Sequence, residues 1–171
     1  TVDSFLLFKL SNGTIHKTDI TNASRTMLFN INSLEWDNEL LELFDVPSSI
    51  LPEVEHSDAN FGALTNLNNI EVHGILGDQQ AALFGQGCLA KGELKSTYGT
   101  GCFLMANVGH KPLFSNDGLL TTIGYSLNGQ VTYAIEGSIY AAGTTVQWLR
   151  DNLEFFSSSE LSENFLNPNG N

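Results

Sequence analysis

The sequence predicts an α/β protein, because helical and β-forming segments share its 171 residues. Apolar residues recur at helical spacing in three segments, Ser33–Phe44, Asp78–Cys88 and Ser138–Leu153. The segment Leu94–Val108 is rich in β-forming residues. Leu119–Ser126 and Gln130–Ile135 flank Leu127-Asn128-Gly129. Because Asn-Gly tolerates positive φ at both turn positions, these two segments are predicted to form a β-hairpin.

The first half of the chain contains short elements. An apolar block at Phe5–Leu10 stops at Ser11-Asn12-Gly13, which is a strong turn signal. The helix over Ser33–Phe44 follows a polar stretch with one apolar insert. Ser48–Asn69 contains prolines, acids and asparagines, and is predicted as loop with short elements. Ile70–Leu76 is predicted as a short buried strand.

The second half of the chain has clearer signals for where helices and strands begin and end. Asp78 occupies the predicted N-cap of its helix, and Gly87 lies near the end of that helix. The β-rich segment is interrupted by Gly99-Thr100-Gly101. The Ser- and Asn-rich segment Ser157–Asn171 is predicted to fray.

Charge excludes two classes of partner. The net charge is −12 with seven Lys and Arg in total, so there is no basic footprint for nucleic acid or for an anionic membrane surface. The acidity is concentrated before Gly85. This change in charge coincides with a change from mixed short elements to β-hairpin patterns. Together the two changes predict a boundary between domains 1–87 and 88–171.

The ends of the chain and its two cysteines bear on whether the protein spans a membrane, carries a signal peptide or contains a disulfide. No apolar run approaches the roughly 18 residues of a membrane helix, and no basic-then-apolar leader is visible, so we expect neither a membrane span nor a signal peptide. The chain begins without Met, and we expect it to be a piece of a longer protein. Cys88 and Cys102 are expected to be free thiols, with a disulfide as the alternative. The four histidines are widely separated and show no metal-ligand spacing.

Asp78 is the first candidate for chemistry. An acid where a strand passes into a helix lies where α/β folds open their clefts, so Asp78 is a candidate general base or hydroxyl orienter. The alternative is an ordinary N-cap. The positive helix end weakens a carboxylate as a base, which matters less in phosphoryl transfer because positioning dominates there.

The second candidate is the glycine turn, defined as Thr97–Phe103. Two glycines around Thr100 allow backbone N–H groups to approach an anion, and the hydroxyl adds a donor. The alternative is a tight β-turn or bulge. It is not a Walker A loop, because no Gly-Lys-Ser/Thr sequence follows.

The third candidate is Gly143, which is predicted to lie inside the last helix. Gly there costs about 1 kcal/mol against Ala, and Gln147 shares its helix face. The functional interpretation is a flat surface for a nucleotide, contacted by Gln147. The alternative is close helix–sheet packing.

Several other residues carry weaker signals. Arg25 is a candidate to bind a carboxylate or to form an interdomain ion pair. Asp3 and Asp19 are predicted to be surface acids. Glu136 is interpreted as a strand-end cap or orienting group, and Phe103 as a pocket wall or core residue.

Taken together, these motifs resemble the glycerol kinases of the FGGY carbohydrate kinase family. The order and the gaps agree as well as the motifs themselves. The matching stretches are Thr21–Phe29, Leu51–Val54, Gly77–Gln86, Thr97–Phe103, Gly118–Ile123, Tyr133–Gly137 and Gln147–Asp151. The resemblance covers nearly the whole chain and is weak only over Ser157–Asn171.

The resemblance implies two actin-like (ribonuclease H-like) α/β domains, with this chain holding the end of the first and the start of the second. It implies transfer of the γ-phosphoryl group of ATP to glycerol with Mg²⁺, giving glycerol 3-phosphate and ADP. It implies that Asp78 is the catalytic carboxylate, which contacts a glycerol hydroxyl. Gln79 matches a neighbouring glycerol contact, and Phe103 matches an apolar wall against the glycerol carbons.

The resemblance also implies nucleotide contacts. Gly99 and Thr100 match the phosphate loop, and Gly143 and Gln147 match the nucleotide side of the second domain. Other family motifs that complete the glycerol and nucleotide sites are absent from this sequence, so the isolated segment is not expected to be a competent kinase.

The family assignment implies a cytoplasmic enzyme that forms homo-oligomers at full length. Two alternatives remain open at this point. One is a kinase for another polyol or sugar of the same superfamily. The other is a non-catalytic actin-like nucleotide-binding module.

Overall fold

The structure is a computed structural model that describes residues 1–165. The chain divides into two compact units. The first unit combines Thr1–Lys95 with Met105–Glu136, and the second combines Ser96–Leu104 with the chain from Gly137 onward. Helices and strands are both present, so the α/β prediction is confirmed.

Five α-helices occur in the described chain: α1 Val2–Leu10, α2 Ile20–Ala23, α3 Asn38–Leu43, α4 Asp78–Gly85 and α5 Gly143–Asp151. The strands of residues 1–165 are β1 Lys17–Asp19, β2 Phe29–Asn30, β3 Glu35–Trp36, β4 Glu53–Glu55, β5 Gly62–Leu64, β6 Ile70–Val72, β7 Leu94–Tyr98, β8 Cys102–Gly109, β9 Leu120–Leu127 and β10 Gln130–Ile139. Short 3-10 helices cover Ser48–Ile50, Thr65–Leu67 and Ser159–Phe165.

Short pairings organise the first half of the chain. β1 and β4 pair in parallel, with Thr18 opposite Val54. β2 with β3 and β5 with β6 form antiparallel hairpins. α1 ends at Leu10 with Ser11 as its C-cap, and the predicted turn follows, with positive φ at Asn12 and Gly13. That turn prediction is therefore confirmed.

β9 and β10 form an antiparallel hairpin whose register shifts between Thr132 and Tyr133. Gln130 lies opposite Leu127, and the strands pair as far as Glu136 and Leu120. Asn128 has φ 50° and Gly129 has φ 76°, the positive values that the Asn-Gly turn requires. The hairpin prediction is confirmed. The four-stranded sheet has the order β7-β8-β10-β9.

Apolar contacts fix α2 and α4 against this sheet within the first unit. Ile20 and Ala23 of α2 pack in one cluster with Ile123 and Tyr133. Leu83 of α4 is fully buried in a second cluster, whose other buried members are Cys88, Met105, Tyr125 and Ala134. A Cβ on Gly124 would lie 3.3 Å from the Leu83 side chain, so the absent side chain on β9 brings α4 close to the sheet.

The helix predicted over Ser33–Phe44 is shorter than expected. α3 begins only at Asn38, where the Asp37 carboxylate accepts hydrogen bonds from the N–H groups of Glu39 and Leu40. Trp36 lies in β3 instead, and its ring packs edge-to-face on Phe29. The helical spacing of Trp36 therefore reflects hairpin packing and not a longer helix.

Two further element predictions were wrong in part. Ile70–Val72 forms the strand β6, but Ile70 is 59% exposed because β6 belongs to a two-stranded hairpin on the surface of the first unit. The helix predicted over Ser138–Leu153 begins only at Gly143, because β10 continues to Ile139. Of the segment predicted to fray, Ser159–Phe165 forms a 3-10 helix, and residues 166–171 lie outside the described residues.

Cys88 and Cys102 are both buried free thiols, so the prediction of no disulfide is confirmed. No helix within residues 1–165 is long and apolar enough to cross a membrane.

The Tyr133 hydroxyl anchors β10 to the loop after β2. It donates a 2.8 Å hydrogen bond to the Ile31 carbonyl, and burial raises the pKa of the phenol, so the donor stays protonated at neutral pH. We expect Tyr133→Phe to destabilise the protein by about 1 kcal/mol, because the Ile31 carbonyl loses its hydrogen bond from the phenol. Thermal melts measure this cost. Tyr98→Phe, at a tyrosine that is 80% exposed, serves as the control, and equal melting temperatures for both variants would contradict the assignment.

Candidate functional site

Asp78 is the first residue of α4 and is exposed to solvent. The N-cap of α4 is Gly77, and no side chain caps this helix, so the N-cap prediction for Asp78 was wrong. The Asp78 Oδ1 atom instead accepts a 2.8 Å hydrogen bond from the Gln79 N–H. The carboxylate thus lies at the positive end of the helix with a face open to a ligand.

Gln79 links the Asp78 carboxylate to a buried lysine. Its Nε2 atom donates toward Asp78 Oδ2 at 3.4 Å, and its Oε1 atom accepts a hydrogen bond from Lys95 Nζ. Lys95 lies on β7 and is 1% exposed. In the sequence, Lys95 is marked only by its charge at the start of a β-rich segment, which does not distinguish it from a surface lysine.

The backbone before Asp78 is fixed by close contacts. The Gly77 N–H donates a 2.9 Å hydrogen bond to Thr21 Oγ1. A Cβ on Gly77 would lie 2.6 Å from Gln80 Oε1, so the absent side chain leaves room for the Gln80 amide. Gln80 is buried, and its Nε2 atom donates to the Ile123 carbonyl at 3.3 Å. These contacts set the position at which α4 begins.

Asp19 is fully buried, so its prediction as a surface acid was wrong. Its carboxylate accepts hydrogen bonds from the Thr21 hydroxyl, the Asn22 side chain and backbone, and the Ser57 hydroxyl. The Ser57 hydroxyl comes from a residue 38 positions away in the sequence, which local pattern could not reveal. A buried carboxylate is stable only with such a set of donors.

Asp3, the other predicted surface acid, is half-buried. Its Oδ2 atom accepts a 2.7 Å hydrogen bond from the Thr18 hydroxyl. Its Oδ1 atom is buried without a hydrogen-bond partner among the residues that the structure describes.

Arg25 forms an ion pair with Glu136, with Nη1 and Oε2 2.7 Å apart. Glu136 is 5% exposed, so the guanidinium compensates a buried carboxylate. Arg25 therefore forms an ion pair within this chain, and both of its residues belong to the first unit. The pair holds the end of β10 to the chain after α2.

The glycine turn lies in the second unit and is closed by backbone hydrogen bonds. The Gly99 N–H donates to the Gly101 carbonyl at 2.8 Å. The Gly99 carbonyl accepts from the Gly143 N–H at 2.9 Å, and the Thr100 carbonyl accepts from the Ala142 N–H at 2.9 Å. The start of α5 is therefore joined directly to the turn between β7 and β8.

Gly143 belongs to the last helix as predicted, but it is the first residue of α5 and does not lie in the helix interior. A Cβ on Gly143 would lie 2.5 Å from the Gly99 carbonyl oxygen. Gly101 is similarly constrained, because its Cβ would lie 2.7 Å from the Ile139 carbonyl oxygen. Close packing therefore requires glycine at both positions.

The candidate residues fall into two groups. Asp78 and Gln79 are in contact within the first unit. The second unit holds Gly99, Thr100, Phe103, Gly143 and Gln147. Of these, Gln147 is exposed, and Phe103 is half-buried. A Cβ on Gly101 would lie 3.3 Å from the Phe103 ring, so the ring borders the turn.

The last turn of α5 carries its own ion pair. Arg150 donates to Asp151 through Nε at 2.6 Å and Nη2 at 2.8 Å. The hydrogen bonds from Arg150 lower the pKa of Asp151, and the carboxylate raises the pKa of Arg150 in return. Arg150 Nη1 also donates to the Ser159 hydroxyl at 3.0 Å, which ties α5 to the following 3-10 helix.

Both halves of the chain match domains of one known protein family. Residues 1–85 match the N-terminal domain of the FGGY family of carbohydrate kinases. Residues 94–168 match the C-terminal domain of the same family. The two matched ranges leave residues 86–93 between them unmatched.

Individual relatives carry the name glycerol kinase. The chain is 54% identical over 170 residues to glycerol kinase of Fusobacterium nucleatum, covering 96% of this chain and 34% of that protein. It is 59% identical over 160 residues to glycerol kinase of Rhodopseudomonas palustris, covering 92% and 32%. The chain thus spans about a third of the length of the curated relatives it matches.

The backbone of this chain also superposes on that of a solved structure. The crystal structure of Plasmodium falciparum glycerol kinase with ADP superposes with a TM-score of 0.88 at 42% sequence identity. The match covers 95% of this chain and 34% of that one. The fold is therefore shared, in addition to the sequence motifs.

Close packing of Gly143 on Gly99 leads to a stability prediction. We expect Gly143→Ala to cost about 1–3 kcal/mol, because the added methyl overlaps a backbone carbonyl that cannot move aside cheaply. Gly85→Ala is the matched control, since a Cβ there has nothing within 4 Å. That control should be neutral or stabilising by up to about 1 kcal/mol. Denaturant unfolding compares the two, and a neutral Gly143→Ala would contradict the close packing.

Proposed function

The chain belongs to the FGGY family of carbohydrate kinases, and we propose that it is a segment of an ATP-dependent glycerol kinase. The whole enzyme would transfer the γ-phosphoryl group of ATP to glycerol, giving glycerol 3-phosphate and ADP. The fold of the segment is the actin-like α/β fold of this family. The observation that carries the proposal is the exposed Asp78–Gln79 pair at the start of α4, in a chain 50–59% identical to glycerol kinases.

Asp78 is the proposed catalytic residue. Its exposed carboxylate would accept the hydrogen bond of one glycerol hydroxyl, orient the oxygen for attack on phosphorus, and take the proton as the O–P bond forms. The helix N-terminus weakens the carboxylate as a base. This is compatible with phosphoryl transfer, in which positioning and charge placement supply most of the acceleration.

Gln79 and Phe103 are the two other residues that we propose to contact glycerol. Gln79 presents an amide beside the carboxylate and would hydrogen-bond a second hydroxyl. Phe103 is half-buried and would contact the carbon chain of glycerol. A small triol offers both kinds of surface, hydroxyl edges and a short apolar backbone.

Nucleotide binding is assigned to the second unit. Gly99 and Thr100 would contact the phosphates, and Gly143 and Gln147 would lie along the nucleotide. The Thr100 hydroxyl and the exposed Gln147 amide are available polar groups for this role. The contact of Gly143 with Gly99 would couple the phosphate contact to the start of α5.

Mg²⁺ belongs to this proposal as part of the nucleotide substrate. Within residues 1–165, no three His, Cys, Asp or Glu side chains converge on a point that could hold a metal. Mg²⁺ binds through few carboxylates, several waters and substrate phosphates, so the metal would arrive with ATP.

We also propose a domain boundary, a cellular location and an oligomeric state. We place the domain boundary at residues 87–88, with 1–87 from the N-terminal and 88–171 from the C-terminal FGGY domain. The whole enzyme would be cytoplasmic and homo-oligomeric. A different polyol or sugar as acceptor, or a non-catalytic nucleotide-binding module, would appear as alternative outcomes of the activity test.

In the full-length protein, we expect Asp78→Asn to lower kcat for glycerol by about 10²–10⁴-fold, because the hydroxyl loses its proton acceptor. Coupled detection of glycerol-dependent ADP formation measures kcat. ADP affinity, measured by calorimetry, should stay within about twofold, since Asp78 is not assigned to the nucleotide.

Asp117→Asn is the matched control, at an exposed acid of the loop before β9. It should retain wild-type turnover. Wild-type turnover in Asp78→Asn would remove this carboxylate from the mechanism. A wild-type protein that phosphorylates another sugar or polyol in preference to glycerol would overturn the assigned acceptor, and one that binds nucleotide without transfer would overturn the kinase assignment.

A further inference from the structure

We infer that Lys95 is a positioning residue, which fixes the side-chain amide of Gln79 so that its NH₂ group faces the substrate. The inference rests on the proposed function and adds a residue to its substrate site. Three residues carry it: Lys95 on β7 and Asp78 and Gln79 at the start of α4. All three belong to the first unit.

The burial of Lys95 calls for a reason. Its side chain is 1% exposed, although lysine is among the residues least often buried. Removing an ammonium group from water is unfavourable unless it is hydrogen-bonded. The contact of Lys95 Nζ with Gln79 Oε1 meets part of this demand and places the charge directly behind the amide.

The donor chemistry of lysine determines how the amide is oriented. An ammonium group has only donors, so the group of Gln79 that faces it must be the carbonyl oxygen. The opposite orientation would bring the NH₂ group against the ammonium, donor against donor. With Oε1 held by Lys95, Nε2 is directed toward Asp78 Oδ2, at 3.4 Å.

This orientation gives the site a defined polarity. Asp78 offers acceptor oxygens only, and the oriented Gln79 offers a donor beside them. One hydroxyl of the substrate can then donate to Asp78 while a neighbouring hydroxyl oxygen accepts from Gln79. Without Lys95, the amide could rotate and offer its oxygen instead, and the site would present two acceptors.

The proposal predicts a specific kinetic effect of Lys95→Met in the full-length enzyme. The KM for glycerol should rise about tenfold, the equivalent of one mispaired hydrogen bond. The KM for ATP should stay within about twofold, because the effect is confined to the Gln79 amide. Lys91→Met, at an exposed lysine four residues earlier, is the matched control and should leave both constants unchanged.

A double-mutant cycle separates positioning from a general structural role. In a Gln79→Ala background, Lys95→Met should change the KM for glycerol by less than about twofold, because the group that it orients is gone. A structural role would give the same tenfold rise in both backgrounds. Additive effects of the two substitutions would therefore overturn the inference.

A second variant applies if Lys95→Met does not fold. Gln79→Glu keeps an acceptor for Lys95 but has no NH₂ group, so it should fold and still raise the KM for glycerol about tenfold. An unchanged KM would overturn the inference. Failure of the proposed function shows separately, in the wild-type enzyme. If that enzyme prefers another polyol, the same cycle is measured with that acceptor, and if it binds no polyol by calorimetry, both proposals are overturned.

Discussion

The hydroxyl of Thr21 is the contact on which the first unit's candidate site depends. It donates to the buried carboxylate of Asp19, at 2.9 and 2.8 Å, and it accepts the N–H of Gly77 at 2.9 Å. Asp19 belongs to β1, and Gly77 is the residue from which α4 begins. The position of Asp78 is therefore set from behind by a fully buried group, while its own carboxylate remains exposed. A rigid support beneath an exposed reactive group is the arrangement that positional catalysis requires.

In both units, glycine allows a close approach that a side chain would hinder. Gly77 lets the chain pass close to Gln80 before α4 begins. Gly143 and Gly101 allow the start of α5 and the end of β10 to approach the turn between β7 and β8. In both places the path of the backbone sets the local structure, and a side chain at the glycine would displace the groups packed against it. The polar side chains assigned to substrates, such as Thr100 and Gln147, are then held by elements whose backbone positions are fixed.

Local chemistry explains which parts of the fold could be predicted from the sequence. Asn128 and Gly129 specify their turn by conformational tolerance alone, and the flanking strands follow. The motif at Gly77–Gln80 is predicted as a site for a similar reason, since an acid after a strand-like segment and before a helix is visible in sequence. The family resemblance then supplied the expected role of each residue.

The remaining features depend on partners distant in sequence. The burial of Asp19 requires Ser57, and the burial of Lys95 is linked to Gln79. Helix limits were missed where a neighbouring strand competed for the same residues, as Trp36 does by packing on Phe29. Helical spacing alone could not report that competition.

The most direct measurement is a crystal structure of the full-length protein with glycerol and ADP. The account predicts one glycerol hydroxyl within about 3 Å of the Asp78 carboxylate and a second accepting from Gln79 Nε2. It also predicts Gln79 Oε1 still facing Lys95 in that complex. Glycerol bound away from the start of α4, or Gln79 presenting its oxygen to the substrate, would contradict it.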